Sequence, residues 1–244
     1  MFEGALRDHA LIERHIEALY TTDSAGRLLR VREPNGGPAP RFFVCRGAIG
    51  VAHRFRVDVP LDIRRELEAA VAETPIVAFP TDGGNDAREE LSRLAAILNR
   101  STPVTNTSAG PAFAFPNEVP TLDSDDGAIV QVTDANVGVL DPLLQPWAPD
   151  IYNSPPLFAL TLRDQAVAVC GSVRITAHAH EAGVETAPAH RGRGYAARVV
   201  AAWAKRVRAL GVEPLYSTSW ENAASRTVAC KLRLVHFGND LHLT

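Results

Sequence analysis

The stretch GVETAPAHRGRGYAARVVAAWAKRV, residues 183–207, decides how the chain is read. A strand ends near Thr186, and Pro188 turns the chain out of it, because proline lacks the N–H that a ladder needs. Two glycines, Gly192 and Gly194, then stand where a helix begins. Side-chain-free positions let backbone approach a ligand closely. The amides of the first helical turn have no partner within the helix, and they lie at the positive end of its dipole. A turn of this kind suits a pyrophosphate. Arg191 and Arg193 add positive charge beside it. The helix beyond, about 194–210, carries Val199, Val200, Trp203 and Val207 on one face, and Gly211 ends it as a left-handed cap.

Other uses of such a turn are less well matched. No Gly-Lys-Ser/Thr follows, so this is not a P-loop, and Gly-x-Gly-x-x-Gly is absent. As a basic patch, HRGR is short and has no aromatics between its charges, which argues against nucleic acid. A tight strand-to-helix turn without a ligand remains the plain alternative.

Outward from this stretch the second half keeps a clear rhythm. AIVQVT (128–133) reads as a strand, and ANVGVLDPLLQPW (135–147) as a helix broken at its prolines. LFALTLRDQ and AVAVCGSVRIT are two strands joined by a turn at Arg163-Asp164. A strand around 182–186 precedes the long helix, and PLYSTSW (214–220) follows it. A helix over 222–232 comes next, and LVHFG with DLHL is expected to close the chain as a hairpin.

The first half is expected to be an α+β unit. It has a helix over 8–20, strands in RFFVCRGAIG and VAHRFRVDV, and helices over about 62–73 and 86–99. Between Ser101 and Gly127 the composition turns to Ser, Thr, Pro, Asn and Asp, which places a boundary there. The expected division is residues 1–115 and 116–244. PAFAFP (111–116), inside the boundary region, leaves an edge strand open.

Composition sets limits on class. The chain has 244 residues, 46% hydrophobic and 22% charged, with a formal net charge of −3, as a globular protein should. That charge exerts no global pull toward nucleic acid or an anionic membrane. No window approaches the roughly 20 apolar residues of a span, and the N-terminus lacks a signal-peptide core, so a cytoplasmic protein without membrane contact is expected. The three cysteines lack zinc-site spacing. His178-Ala179-His180 is at most half a metal site, and no metal is expected.

Arg191-Gly192-Arg193-Gly194-Tyr195-Ala196 resembles the Arg/Gln-x-x-Gly-x-Gly/Ala signature of the GNAT acetyltransferases. A second block, Asn222-Ala223-Ala224-Ser225 leading to Ala229-Cys230-Lys231-Leu232, resembles the family's Asn-x-x-Ser/Ala…Lys-Leu-Gly-Phe helix. The resemblance covers roughly 128–244. It implies an α/β fold in the C-terminal half, with helices flanking a mixed central sheet whose two parallel strands splay, beside an N-terminal α+β domain of unknown role. It also implies that the amides of Arg191, Gly192, Arg193, Gly194, Tyr195 and Ala196 hold the pyrophosphate of acetyl-CoA. Amides around Val184, Glu185 and Thr186 would hold the pantetheine arm and polarise the thioester, and Asn222 and Ser225 match further CoA-holding positions.

Two departures bear on the chemistry. The position where many members carry a proton-donating tyrosine is Ala229, with Tyr216 and Ser225 as candidate substitutes. Arg233-Leu234 replaces Gly-Phe. An acceptor amine is mostly protonated near neutral pH, so a base would help by about 10²–10⁴. Alignment on the signature places His180 nearest the position where some members carry a catalytic glutamate, and a one-residue bulge would place Glu181 there instead. Glu185 lies nearer the thioester end. By the period of two, Glu181 and Glu185 share one strand face and His178 and His180 the other. The glutamates are the favoured pair, since Ala182, Val184 and Thr186 suit a packed side.

The expected activity is acetyl transfer from acetyl-CoA to a primary amine, on a small molecule or a peptide, by direct attack in a ternary complex. A non-catalytic acyl-CoA-binding or sensing module, and a scaffold that keeps only the fold, are the alternatives. The first domain is expected to shape the acceptor site or to mediate homodimer formation.

Overall fold

A computed structural model of the chain describes residues 2–48, 50–74, 85–122, 126–140, 142 and 144–244. In chain order the elements begin with α1 (Phe2–Leu19), β1 (Tyr20–Thr22), β2 (Leu28–Val31), β3 (Phe42–Arg46) and β4 (Val51–Phe55). α2 (Leu61–Glu73), α3 (Asn85–Leu98), β5 (Thr107–Ala114) and β6 (Ala128–Val132) come next. Then follow α4 (Asp150–Asn153), β7 (Leu157–Leu162), β8 (Gln165–Ile175) and β9 (Ala179–Thr186). The chain ends with α5 (Tyr195–Ala209), β10 (Glu213–Ser217), α6 (Ala223–Lys231) and β11 (Val235–Leu243). Contacts gather these into two compact units. The first holds 1–112, 217–222 and 236–244, and the second 113–216 and 223–235.

In the first unit the sheet runs β4-β3-β11-β5. β3 pairs antiparallel with β4 on one side and with β11 on the other. Both faces of β3 are covered. Phe42 and Val44 pack with Leu67 of α2 and with Leu94 and Leu98 of α3. Phe43 meets His15 of α1. The expected closing hairpin is absent: residues 235–243 form one strand. Gly238 does not turn the chain there; an added Cβ would stand 2.7 Å from Cys45 Sγ, so glycine serves close packing against β3. The Ser/Thr/Pro-rich stretch expected to part the domains supplies β5. Its Ala109 and Pro111 carbonyls accept from the Trp220 and Thr218 amides, at 3.1 and 3.3 Å. Strand pairing at these carbonyls outweighs the turn-forming composition.

In the second unit the order is β10-β9-β8-β7-β6, antiparallel throughout except for the parallel pair β9 and β10. Arg163 and Asp164 both adopt positive φ, 48° and 64°, as a tight β7–β8 hairpin requires. α5 lays its apolar stripe on the sheet: Val199, Val200, Trp203 and Val207 are fully buried among Phe115, Leu160, Cys170 and Leu232. Gly211 caps the helix with φ 81°. The segment expected as a proline-broken helix is instead two 3-10 turns, Val137–Val139 and Gln145–Trp147, followed by the short α4. Proline removes the amides that a continuous helix would need. Leu140, Leu144 and Trp147 of this segment cover Val132, Leu157, Ala159 and Val169.

Candidate functional site

The loop between β9 and α5 is built around two left-handed glycines, Gly192 at φ 77° and Gly194 at φ 87°. The sequence suggested glycine for close approach to a ligand, and the backbone adds a second reason. A Cβ at Gly192 would meet nothing within 4 Å, and at Gly194 only Lys231 Nζ, at 3.6 Å. Glycine is needed because other residues resist positive φ. The open space in front of both is free for a ligand, and Lys231 brings a cation to it from α6.

Backbone bonding shows where donors stand. The His190 and Arg191 amides are taken by the Ala187 and Pro188 carbonyls, at 2.8 and 3.4 Å. The first bond along the helix runs from the Arg198 amide to the Gly194 carbonyl. The amides of Gly194, Tyr195, Ala196 and Ala197 therefore lie in the turn that no helix satisfies internally. Arg191 turns its side chain back, with Nε donating to the Thr186 carbonyl at 3.2 Å. Arg193 is exposed. Tyr195 is buried and donates its hydroxyl to Asp126 at 2.6 Å, and Arg198 bonds Asp126 as well. These two contacts fix the first turn of α5 to the start of β6.

β9 and β10 pair only at Glu213↔Ala179, Pro214↔His180 and Leu215↔Glu181, whereas β9 runs on to Thr186. Beyond Glu181 the two strands part. The Glu213 amide donates to the His178 carbonyl, and the Ala187 amide to the Val167 carbonyl on β8. Backbone direction alternates along a strand, so even-numbered residues of β9 face the β10 side and odd-numbered ones face β8. The Ala182, Val184 and Thr186 amides thus point into the gap. Glu185, grouped with them from the sequence, turns its amide to β8.

Side chains divide the same way. Ala182 and Val184 pack beneath α5. His180 goes with them and is buried: its Nδ1 lies 2.9 Å from Ser172 Oγ, which accepts from Trp203 Nε1 at 3.0 Å. An indole N–H only donates, so Ser172 Oγ is the acceptor from Trp203 and links the two rings. Burial lowers the His180 pKa. This imidazole is a tie within the core. His178 is exposed.

Glu181, Gly183 and Glu185 occupy the opposite face. Glu181 is buried. Glu185 accepts a 2.7 Å hydrogen bond from Trp147 Nε1. The only register shift in this pair lies in β8, between Ser172 and Arg174, and not in β9. It sends Val173 into the space that a Cβ on Gly183 would fill.

Tyr216 follows Leu215, the last residue of β10 paired with β9. Its hydroxyl lies 2.6 Å from Ser225 Oγ on α6, and burial pushes its pKa up to about 12. Ala229, at the family's tyrosine position, is buried in the same cluster. Ser225 is thus engaged with Tyr216, and Asn222 lies in the first unit, its amide bonded to the Ser219 carbonyl. Among the described residues no three His, Cys, Asp or Glu side chains gather as a metal site, and no helix is long and apolar enough to cross a membrane. Sequence reasoning missed Trp147 and Lys231. The first stands in a segment without periodicity. The second is an ordinary helix-end lysine until the fold brings it to Gly194.

Residues 168–234 match the family model described as FR47-like protein. Among solved structures, a GNAT-family protein from Novosphingobium aromaticivorans is similar at 22% identity, over 57% of this chain and 65% of its own, with TM-score 0.46. This chain thus spans less than two thirds of that protein. A GCN5-related N-acetyltransferase-like protein from Streptococcus suis is similar at 12% identity, covering 85% of each chain with TM-score 0.47. A GNAT-family acetyltransferase from Colwellia psychrerythraea is similar at 14%, over 86% of this chain and 82% of its own, with TM-score 0.46. No curated protein matches the chain.

Proposed function

We propose that the chain is an acetyltransferase of the GNAT superfamily, through the segment 168–234 that matches the FR47-like model, and that it moves an acetyl group from acetyl-CoA to a primary amine. The fold supports acyl transfer in general. The reading of donor and acceptor rests on one observation above the rest: α5 opens on a loop with two positive-φ glycines, beside strands that part. That arrangement fits an extended diphosphate ester. The Gly194–Ala197 amides would hold the diphosphate, with Lys231 nearby, and the inward amides of Ala182, Val184 and Thr186 would hold the arm.

When bound, acetyl-CoA supplies the activated acetyl group. The residues of the chain supply position and a proton acceptor. An amide aimed into the gap would stabilise negative charge on the thioester carbonyl oxygen. Glu185 is the half-buried carboxylate on the face of β9 opposite α5 that would take the proton from the incoming ammonium, directly or through a water. Tyr216 stays protonated through neutral pH, lies in the same buried cluster as Ala229, and with Ser225 would stand in for the tyrosine missing there. Catalysis on this reading is mainly positioning. The acceptor is a small amine or a peptide amine, and the protein acts in the cytoplasm.

Ala229 favours a second reading, a module that binds acyl-CoA without turnover. Isothermal titration with acetyl-CoA, followed by thiol release against a panel of primary amines, separates the two. Binding with amine-dependent thiol release is expected. Binding without release from any amine would leave the second reading standing.

A further inference from the structure

Trp147 stands outside every motif of the chain, yet it is held at three points. Gly171 of β8 and Gly183 of β9 are cross-strand partners. A Cβ on Gly171 would stand 3.3 Å from Trp147 Cζ3, and one on Gly183 would stand 3.1 Å from its Cη2. The six-membered ring of the indole thus rests over a paired-glycine seat, where any side chain would lift it. Its five-membered ring reaches along the same face of β9, and Nε1 donates to Glu185 at 2.7 Å. Leu140, Leu144 and Ile151 lie in the same apolar cluster and close the side of the seat.

We infer that Trp147 is a positioning residue: seated on Gly171 and Gly183, it aims and holds the Glu185 carboxylate for the acceptor amine. A glutamate side chain on an open strand face samples several rotamers, and a catalytic carboxylate has to be held within a fraction of an ångström. The seat limits the ring to one pose, and the ring limits the carboxylate. A hydrogen bond between a neutral donor and a charged acceptor is among the stronger ones, so the hold is firm. The two glycines sit side by side on adjacent strands under the ring, where they also leave room for Leu157 and Val173. This inference rests on the acetyltransferase reading.

Trp147→Phe keeps an aromatic ring on the seat and removes the donor. With the best amine of the panel, kcat/KM is expected to fall about tenfold, mostly in kcat, with CoA affinity and thermal midpoint near those of the parent. Glu185→Gln is expected to fall further, and Trp147→Phe in that background to add nothing. The indole N–H resonance lost in Trp147→Phe identifies Trp147 among the three tryptophans, and it should move upfield in Glu185→Gln. Unchanged kcat in Trp147→Phe, an equal loss in both backgrounds, or an indole resonance indifferent to Glu185→Gln would each overturn the inference while parental turnover remains. Absence of thiol release by the parent chain with every amine would instead remove the reading beneath it, and the inference with it.

Discussion

At Gly194 the backbone stands at φ 87° with open space where a side chain would go, so a substitution there has two separable effects. The first is strain, about 1–2 kcal/mol for an alanine forced into the left-handed region. The second is a methyl group placed where a diphosphate would lie. Gly211, at the far end of the same helix, has nearly the same φ, 81°, and equally open space. Gly194→Ala and Gly211→Ala should therefore lose similar stability in denaturant titrations. Only Gly194→Ala should lose CoA affinity, by tenfold or more. Equal CoA affinity in the two variants would mean that the loop is a turn and nothing else. The need for glycine at 192 and 194 was visible in the sequence, but its conformational part was not, because φ is not written in residue names. His180 teaches the converse. Its spacing made it a candidate base, whereas its partners, Ser172 and Trp203, come from distant parts of the chain and hold it in the core.

Among the elements, the period of two in β9 was read well from the residues: Ala182 and Val184 do pack under α5, and Glu185 lies on the other side. The paired glycines beneath Trp147 were not legible, because their meaning depends on the β8–β9 register. β11 was read as a hairpin for a similar reason, since Gly238 looks like a turn until Cys45 is placed against it. β11 also carries a buried carboxylate. Asp240 accepts from His15 at 2.8 Å and faces His242 Nε2 at 3.1 Å, while His242 Nδ1 meets the Tyr20 hydroxyl at 2.5 Å. Burial would raise the Asp240 pKa, but the charge of His242 and the hydrogen bonds from both histidines outweigh it and hold the group well below its ordinary value. A depressed carboxylate stabilises the fold above its unfolded pKa, near 3.8, and that stability is lost as pH falls through the lower folded value. Asp240→Asn should lower stability at neutral pH by about 3–5 kcal/mol. The gap to the parent should narrow as acid is added below pH 4, as followed by denaturant unfolding across pH. A gap that stays constant into strong acid would show that the ion pairing contributes nothing.

For the whole molecule, the second unit was legible in outline because its turns and helix ends are set by backbone, and backbone leaves a mark as glycine and proline. The boundary was less so. Residues 217–222 and 236–244 cluster with the first unit, a return of the chain that composition does not record. The residues proposed to position Glu185 were the least legible, since they come from the irregular segment around Trp147 and have no period to follow. Main-chain amides at the mouth of α5 are proposed to grip a diphosphate, and isothermal titration with CoA and with pantetheine isolates that grip. Pantetheine keeps the arm and the thiol but lacks the diphosphate and nucleotide. CoA should bind at least a hundredfold more tightly, with the difference largely lost in Gly194→Val. Equal affinity for the two ligands, or no binding of either, would contradict it.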